Sequence, residues 1–167
     1  MGSNDAIRGG FGNDTLEGDS AADTAANRGG RDQILGGDGN DIIIGAGNAD
    51  TLNGGAGSDL FVYRDWINDC NMFVGSEVIE DFSRAQGDKI DLSQIDAKLN
   101  IAGDQAFTFL GFQSAFTGAG GEAYSTVSNT PGSVMIFCDI NGDRGVDMRI
   151  IVTTTDALSL QASDFVL

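Results

Sequence analysis

The first part of the chain places apolar and polar residues in a pattern that repeats every nine positions. An aspartate stands at the sixth position of each repeat, and one apolar residue follows two positions later, at the eighth. The aspartates succeed one another without insertion as Asp5, Asp14, Asp23, Asp32, Asp41, Asp50 and Asp59. The apolar residues are Ile7, Leu16, Ala25, Ile34, Ile43, Leu52 and Phe61. We therefore predict that a carboxylate and an inward-facing apolar side chain repeat together.

Glycine occupies the first, second and fourth positions of the clearest repeats, which span residues 9–17, 36–44 and 54–62. Because glycine tolerates positive φ, these positions predict tight turns whose carbonyl oxygens can point at an ion. The apolar stretch after each turn predicts a strand of only a few residues. Aspartates that merely form turns in a glycine-rich linker are the alternative interpretation, and such a linker would not respond to calcium. Seven copies in phase favour the ordered repeat.

This pattern resembles the calcium-binding nonapeptide repeat of RTX proteins. The resemblance implies an all-β fold, a parallel β-roll in which two repeats make one coil and each calcium lies between turns eighteen residues apart. The implied aspartate pairs are Asp5 with Asp23, Asp14 with Asp32, Asp23 with Asp41, Asp32 with Asp50, and Asp41 with Asp59. The repeats of Asp23 and Asp50 carry Ala21 and Asn48 at the fourth position. We expect weaker calcium sites at those two turns.

Composition divides the chain near Tyr63, where glycine becomes scarcer and larger apolar residues become frequent. We predict a roll over residues 1–63 and a β-rich C-terminal part over 64–167. The formal charge of −16 disfavours binding to nucleic acid and anionic membranes. It also opposes compaction, so the repeats should be disordered until cations bind. No apolar stretch is long enough to form a membrane helix.

The C-terminal part predicts further strands. Residues 77–82 resume a strand, and Asp88 follows in a segment that reads either as an extra ligand turn or as a simple strand connection. Residues 134–137 and 148–152 predict an antiparallel pair. The turn between them, 139–147, begins like an EF-hand loop but has Arg144 and Ile150 where glycine and glutamate are required. A hairpin turn is therefore favoured over calcium bound by Asp139, Asn141 and Asp143.

The order of these strands, followed by a phenylalanine-rich segment and a terminal Asp-Phe-Val-Leu, resembles the C-terminal domain of serralysin-type secreted proteases and the related R-modules of mannuronan C-5-epimerases. The resemblance implies secretion and several calcium ions. It also implies that residues 164–167 are a type I secretion signal at a native terminus, with an edge strand as the alternative. The chain begins in mid-repeat, so we expect an N-terminal catalytic domain in a longer parent.

The remaining residue types bear on chemistry and packing. The chain has no histidine, which excludes an HExxH zinc site, a serine triad and a cysteine–histidine pair. We predict that Cys70 and Cys138 are free thiols, with a disulfide as the alternative. Trp66 is a candidate cap over the roll. Four aromatic residues are predicted to be core, with a carbohydrate-stacking platform as the alternative: Phe107, Phe109, Phe112 and Phe116.

Two functional classes follow. The first is a non-catalytic module that folds with calcium, passes through a type I secretion transporter and stabilises an attached extracellular enzyme, either an epimerase or a protease. The second is a module that binds a polyuronate such as alginate. Such a polyanion needs cations, and the basic residues of the repeat region are Arg8, Arg28 and Arg31.

Overall fold

The computed structural model describes residues 3–20, 29–65, 75–98, 101–156 and 159–167. Within these ranges the chain forms thirteen strands and one short 3₁₀ helix, Ala162–Asp164. The repeat region contributes β1 (Ala6–Phe11), β2 (Thr15–Glu17), β3 (Gln33–Asp38), β4 (Ile42–Ile44), β5 (Thr51–Ala56) and β6 (Leu60–Val62). The remainder contributes β7 (Glu77–Phe82), β8 (Lys89–Asp91), β9 (Thr108–Phe112), β10 (Glu122–Val127), β11 (Ser133–Asp139), β12 (Met148–Thr154) and β13 (Phe165–Val166).

The strands form two sheets. The larger has the order β1-β3-β5-β7-β12-β11-β10-β9, and the smaller has the order β13-β8-β6-β4-β2. Successive strands of the repeat region alternate between the sheets and pair in parallel with strands of neighbouring coils. The predicted parallel β-roll is confirmed, and so is the all-β class.

The apolar residue at the eighth position of each described repeat points between the two sheets. Ile34 and Leu52 of the larger sheet, and Ile43 and Phe61 of the smaller, are at most 2% exposed and belong to one core cluster. That cluster continues into β7, β8, β10, β11 and β12, so both the core and the sheets extend past Tyr63. The domain boundary near Tyr63 stays a prediction.

The spacing predicted for the first coil is wrong. Strand β1 pairs with β3 at an offset of 27 residues, as in Ala6 with Gln33, whereas β3 and β5 are offset by the expected 18. The first coil is therefore one nonapeptide longer in sequence than the coil that follows it. The repeat of Asp23 has Asp19 and Ala21 at two glycine positions and only Ala25 at its apolar position. Of the seven repeats, this one would bury the smallest apolar side chain in the stack. Asp23, Ala25 and Arg28 lie outside the described residues.

The C-terminal part agrees with most of the sequence-based predictions. Strands β11 and β12 are antiparallel, with Val134 opposite Val152. Phe107 and Phe116 are buried and Phe109 packs against the core, but Phe112 is 52% exposed, so the prediction that it is core is wrong. Cys138 is a free, buried thiol, as predicted; Cys70 and the proposed cap Trp66 lie outside the described residues. No helix in the described ranges has the length and apolarity to cross a bilayer.

Candidate cation sites along the two turn edges

The turns of the roll stack along two edges. We call first edge the stack of turns that end at Asp14, Asp41, Asp59 and Asp88, and second edge the stack that ends at Asp5, Asp32, Asp50 and Glu77. Each edge connects the same end of one sheet to the other, coil after coil. The candidate ligands therefore come from stacked copies of one backbone shape.

That backbone shape requires positive φ at the second and fourth positions of the turn. Gly37 and Gly39 adopt φ of 118° and 134°, and Gly55 and Gly57 adopt 94° and 134°. The turn before Asp50 has the same shape although it carries Ala46 and Asn48 at these positions, with φ of 63° and 76°. Non-glycine residues rarely adopt such angles, so stacking imposes the conformation where the sequence does not favour it.

Glycine at the first position is needed for a different reason. A Cβ added to Gly9 would lie 2.6 Å from the Asp14 Oδ2 atom and 2.6 Å from the Gly36 carbonyl oxygen. An added Cβ on Gly36 would meet the corresponding atoms, Asp41 Oδ2 and the Gly54 carbonyl oxygen. The bare glycine thus leaves room where a carboxylate oxygen and a carbonyl oxygen of the next coil approach the same point.

On the first edge, the aspartates are connected by hydrogen bonds from one coil to the next. The backbone N–H of Asp14 donates to Asp41 Oδ1 (2.8 Å), that of Asp41 to Asp59 Oδ1 (2.9 Å), and that of Asp59 to Asp88 Oδ1 (3.0 Å). Asp88 was predicted to be either a ligand or part of a connecting turn. Its Oδ2 accepts the Ser83 N–H at 2.8 Å, so this residue ends the row of carboxylates inside a turn.

The second edge has the same arrangement. The N–H of Asp5 donates to Asp32 Oδ1 (2.8 Å), that of Asp32 to Asp50 Oδ1 (2.7 Å), and that of Asp50 to Glu77 Oε2 (3.1 Å). The contacts bring Asp32 and Asp50 together, and Asp41 and Asp59, as the sequence predicted. Asp5 pairs with Asp32 and not with the predicted Asp23. Asp14 pairs with Asp41 and not with the predicted Asp32. The reason is the offset of 27 in the first coil.

The other carboxylate oxygen of these residues has a different environment. Oδ2 of Asp14, Asp32, Asp41 and Asp59 is buried and accepts no hydrogen bond. Burial raises the pKa of Asp32 and of Asp59, and it raises that of Asp88 to about 6. A buried carboxylate oxygen that lacks a donor is costly unless a cation neutralises it.

A hard cation fits this arrangement. Calcium takes six to eight oxygen ligands, and turn carbonyls serve as well as carboxylates. In the described ranges no three acidic side chains converge on a common point, so each cation needs carbonyl oxygens besides one or two carboxylates. The first-position carbonyls of Gly36, Gly45 and Gly54 approach the carboxylates in the way that this requires.

Sequence reasoning missed several residues of these edges. Glu77 occupies the place of the next aspartate on the second edge. The sequence did indicate this, because the buried apolar residue Ile79 follows Glu77 by two positions, as in the repeats. Asp81 accepts the N–H groups of Gly54 and Gly55 (2.9 and 2.8 Å). Asp19 is 5% exposed and accepts the Gly30 N–H at 2.7 Å. Nothing in its sequence position indicated this.

Two of the three arginines proposed for polyuronate binding lie in the described residues, on different elements of the roll. Arg8 lies on the outer face of β1, where it lines a shallow cavity of about 220 Å³ with Gln33, Asn53 and Glu80. Arg31 belongs to a turn of the second edge, where its backbone N–H donates to Asn4 Oδ1 at 2.8 Å. The two arginines therefore face different surfaces, and Arg28 lies outside the described residues.

The loop at 139–147 uses its carboxylates for its own backbone. Asp139 Oδ1 accepts the Gly142 N–H (2.7 Å) and Oδ2 accepts the Arg144 N–H (3.0 Å), while Asp147 Oδ2 accepts the Ile140 N–H (2.8 Å). The hydrogen bonds support the hairpin-turn interpretation.

The C-terminal residues pack against the turn that ends the first edge. Arg84 donates from Nε to Asp164 Oδ1 at 2.7 Å and from a terminal nitrogen to Asp164 Oδ2 at 2.5 Å. The Asp164 side chain is fully buried, and Phe165 pairs with Ile90 in a parallel edge strand. The edge-strand alternative for the terminus is confirmed, and the secretion signal stays a prediction.

Comparisons with known proteins show which family has this architecture. No curated protein sequence matches the chain. Among solved structures, the AlgE6R2 subunit of the Azotobacter vinelandii mannuronan C5-epimerase superposes with a TM-score of 0.66 at 23% identity, over 99% of this chain and 88% of that one. The AlgE6R3 subunit of the same epimerase gives 0.59 at 22%, over 99% and 80%. The family model of the peptidase M10 serralysin C terminal matches residues 6–167, and the chain belongs to that family.

Proposed function

We propose that the chain is a non-catalytic RTX module of a secreted enzyme, whose roll folds when calcium binds between the turns of the two edges. One observation carries the proposal: Oδ2 of Asp14, Asp32, Asp41 and Asp59 is buried with no hydrogen-bond donor. Four such oxygens in the described part of one small roll demand a compensating positive charge. The cations are the cofactor in this proposal, and their carboxylate ligands are the aspartates that the described turns bring together: Asp5, Asp14, Asp32, Asp41, Asp50 and Asp59.

Binding and folding are then one reaction. The separated turns of an unfolded chain present no site, so calcium stabilises only the folded form, by about 4 kcal/mol for each site at a thousandfold excess over its Kd. The formal charge of −16 weakens the metal-free folded state by self-repulsion. Extracellular calcium modules have Kd values of about 10⁻⁴ to 10⁻³ M, so the chain stays unfolded in the cytosol and folds outside.

Folding on arrival outside the cell suits passage through a type I secretion transporter. The terminal Asp164, Phe165, Val166 and Leu167 are the signal in this proposal, and an unfolded chain presents them. After export, calcium folds the module, which then stabilises the catalytic domain of the parent. The module is non-catalytic in this proposal, since the buried carboxylates of the described residues are committed to calcium, to backbone N–H groups or, for Asp164, to Arg84.

Calcium titration of the metal-free chain tests the proposal. Circular dichroism should change from disorder to β structure between about 0.1 and 1 mM calcium, while magnesium at the same concentrations should leave the chain unfolded. Magnesium prefers six ligands in regular octahedral geometry and retains water, which carbonyl-rich turns do not offer. A chain that is equally folded in excess chelator would contradict the proposal.

Polyuronate binding is a second candidate function, favoured by the cavity beside Arg8. Arg8, Gln33, Asn53 and Glu80 present hydrogen-bonding groups on neighbouring strands, which lie about 4.8 Å apart. Oligomannuronate added to the calcium-loaded chain should shift amide NMR signals of β1, β3 and β5. Arg8→Gln should abolish the shifts, and Arg31→Gln, outside the cavity, should preserve them. Unchanged spectra at millimolar ligand would exclude this function.

A further inference from the structure

The second edge contains one turn that is assembled from two separate pieces of sequence. The backbone N–H of Gly18 donates to the Ile44 carbonyl at 3.0 Å, which aligns Gly18 with the first position of the next turn, Gly45. The chain re-enters the edge at Gly29 and reaches Asp32. We call residues 18–19 together with residues 29–32 the composite turn. Its two pieces are joined by the hydrogen bond from the Gly30 N–H to Asp19 Oδ2.

The composite turn keeps the oxygen arrangement of the regular turns. A Cβ added to Gly18 would meet Asp32 Oδ2 and the Gly45 carbonyl oxygen, the same pair of atoms that surrounds the first-position glycines of the first edge. The Asp32 side chain is 1% exposed, and its Oδ2 atom accepts no hydrogen bond. A cation site between this turn and the next therefore survives the interruption.

A second carboxylate enters the same region. A Cβ added to Gly29 would lie 2.5 Å from Asp19 Oδ2 and 2.6 Å from the Gly47 carbonyl oxygen, so these two oxygens approach one point. The Gly30 N–H donates to Asp19 Oδ2 at 2.7 Å, and a Cβ added to Gly30 would lie 2.8 Å from Asp32 Oδ1. Both carboxylates therefore approach the same glycine. The two carboxylates repel each other unless a cation lies between them.

We infer that Asp19 is a ligand of a divalent cation bound between the composite turn and the turn at residues 45–50, together with Asp32 and the carbonyl oxygens of Gly45 and Gly47. This inference rests on the proposed function and deepens it. Two carboxylates and two carbonyls at irregular positions suit calcium better than magnesium. Calcium affinity rises with the number of charged ligands, so this site binds more tightly than the regular ones, the opposite of what the sequence of this repeat suggests.

Asp19 has a purely structural alternative role, since it caps the Gly30 N–H. Asp19→Asn separates the two roles because the amide oxygen can still accept that hydrogen bond, whereas the charge is lost. Asp38→Asn is the matched control: Asp38 is an exposed roll residue at a turn of the first edge, and its substitution changes the net charge equally. Both variants leave the regular aspartates intact.

Terbium luminescence and calcium calorimetry measure the sites. In the wild-type chain the tightest site should be that of Asp19, and Asp19→Asn should weaken it about tenfold, while Asp38→Asn should match the wild type. Equal affinities and stoichiometry in Asp19→Asn and the wild type would overturn the inference but leave the proposed function standing. A wild-type chain that binds no calcium would overturn both.

A measurement on the unmodified chain avoids dependence on how the variant folds. With ¹³C-labelled aspartate, the carboxylate signals of Asp19 and Asp32 should shift together at the first equivalents of calcium, before the signals of Asp41 and Asp59. An Asp19 signal that stays in place while that of Asp32 shifts would restrict Asp19 to capping and would overturn the inference.

Discussion

Buried acidic side chains occur in both the roll and the C-terminal part, but they are satisfied in different ways. In the roll, one oxygen of Asp41 accepts an N–H from the preceding coil and the other, although buried, accepts none. In the C-terminal part, both oxygens of Asp139 accept N–H groups of its own loop. Glu122 likewise accepts the N–H groups of Thr117 and Gly118.

Geometry explains the difference. An isolated loop can curl around a carboxylate and direct several N–H groups at it, which stabilises the charge without a metal. Burial raises the pKa of Glu122, but hydrogen bonds from the Thr117 hydroxyl and from nearby backbone N–H groups outweigh it, so the pKa is lowered. A stacked coil offers each carboxylate one N–H, because the next copy of the turn is displaced by a strand spacing and has the same shape. Under the proposed function, cations compensate the aspartates of the roll, whereas backbone N–H groups already compensate Asp139 and Glu122.

The largest effect is expected from a charge in the roll core. Leu52→Asp places an unpaired carboxylate where the wild-type side chain is 1% exposed, and it should cost more than about 4 kcal/mol. We expect circular dichroism to show an unfolded roll even at saturating calcium. Leu35→Asp, on the outer face and 37% exposed, is the control and should fold. A folded Leu52→Asp variant would show that cations alone can hold the coils.

An intermediate effect separates the two kinds of buried acid directly. Asp41→Asn removes charge from the first edge at a residue that contacts both neighbouring coils. If two sites each weaken tenfold, the calcium-linked stability falls by about 2.7 kcal/mol, and the folding midpoint moves to higher calcium.

Asp139→Asn should instead lower the free energy of unfolding by a similar amount at every calcium concentration, without moving the dependence on calcium. Urea unfolding at several fixed calcium concentrations distinguishes the two patterns. If both variants changed the calcium dependence alike, the distinction between the two regions would be wrong.

The smallest effect concerns Arg84 and Asp164. Burial alone would raise the pKa of Asp164, but hydrogen bonds from Arg84 and the Gln161 N–H outweigh it and lower the pKa below its ordinary 3.8. A lowered pKa contributes stability above pH 3.8 that is lost as the pH falls through the folded-state value. Arg84→Met should lower the free energy of unfolding by about 2 kcal/mol at neutral pH.

That difference between wild type and variant should shrink below pH 3.8. Chemical denaturation at pH 7 and pH 3 measures it, and Arg8→Met, at an exposed arginine, is the control for loss of a positive charge. A difference that is the same at both pH values would mean that Arg84 acts through its packing or its hydrogen bond to the Ser159 carbonyl, and not through Asp164.

The nine-residue period was sufficient to predict the parallel roll, the inward face and most of the aspartates on each edge. These features could be predicted because they depend on local sequence: each turn forms from the glycines of its own repeat. The offset of 27 residues could not be predicted, because the repeat of Asp23 keeps the nine-residue phase of the others. Asp19 was missed because it matters only where Gly29 is brought beside it.

Other misses have local causes. Glu77 keeps the spacing between acid and apolar residue but follows a segment without repeat glycines, so the pattern ends before the edge does. Phe112 was assigned to the core from composition, yet it is the last residue of β9, the outermost strand of its sheet, where one side has no neighbour among the described strands.

The offset of the first coil also shows that the sheet and edge of each repeat depend on whether an odd or an even number of repeats precedes it in the stack. Successive repeats alternate between the two sheets, so excluding one nonapeptide moves every later repeat to the sheet and edge opposite to those expected from uninterrupted counting. Asp32 and Asp50 share an edge with Asp5 for this reason. A single nonapeptide gained or lost thus exchanges the two faces of everything downstream, whereas a pair of them only lengthens the roll.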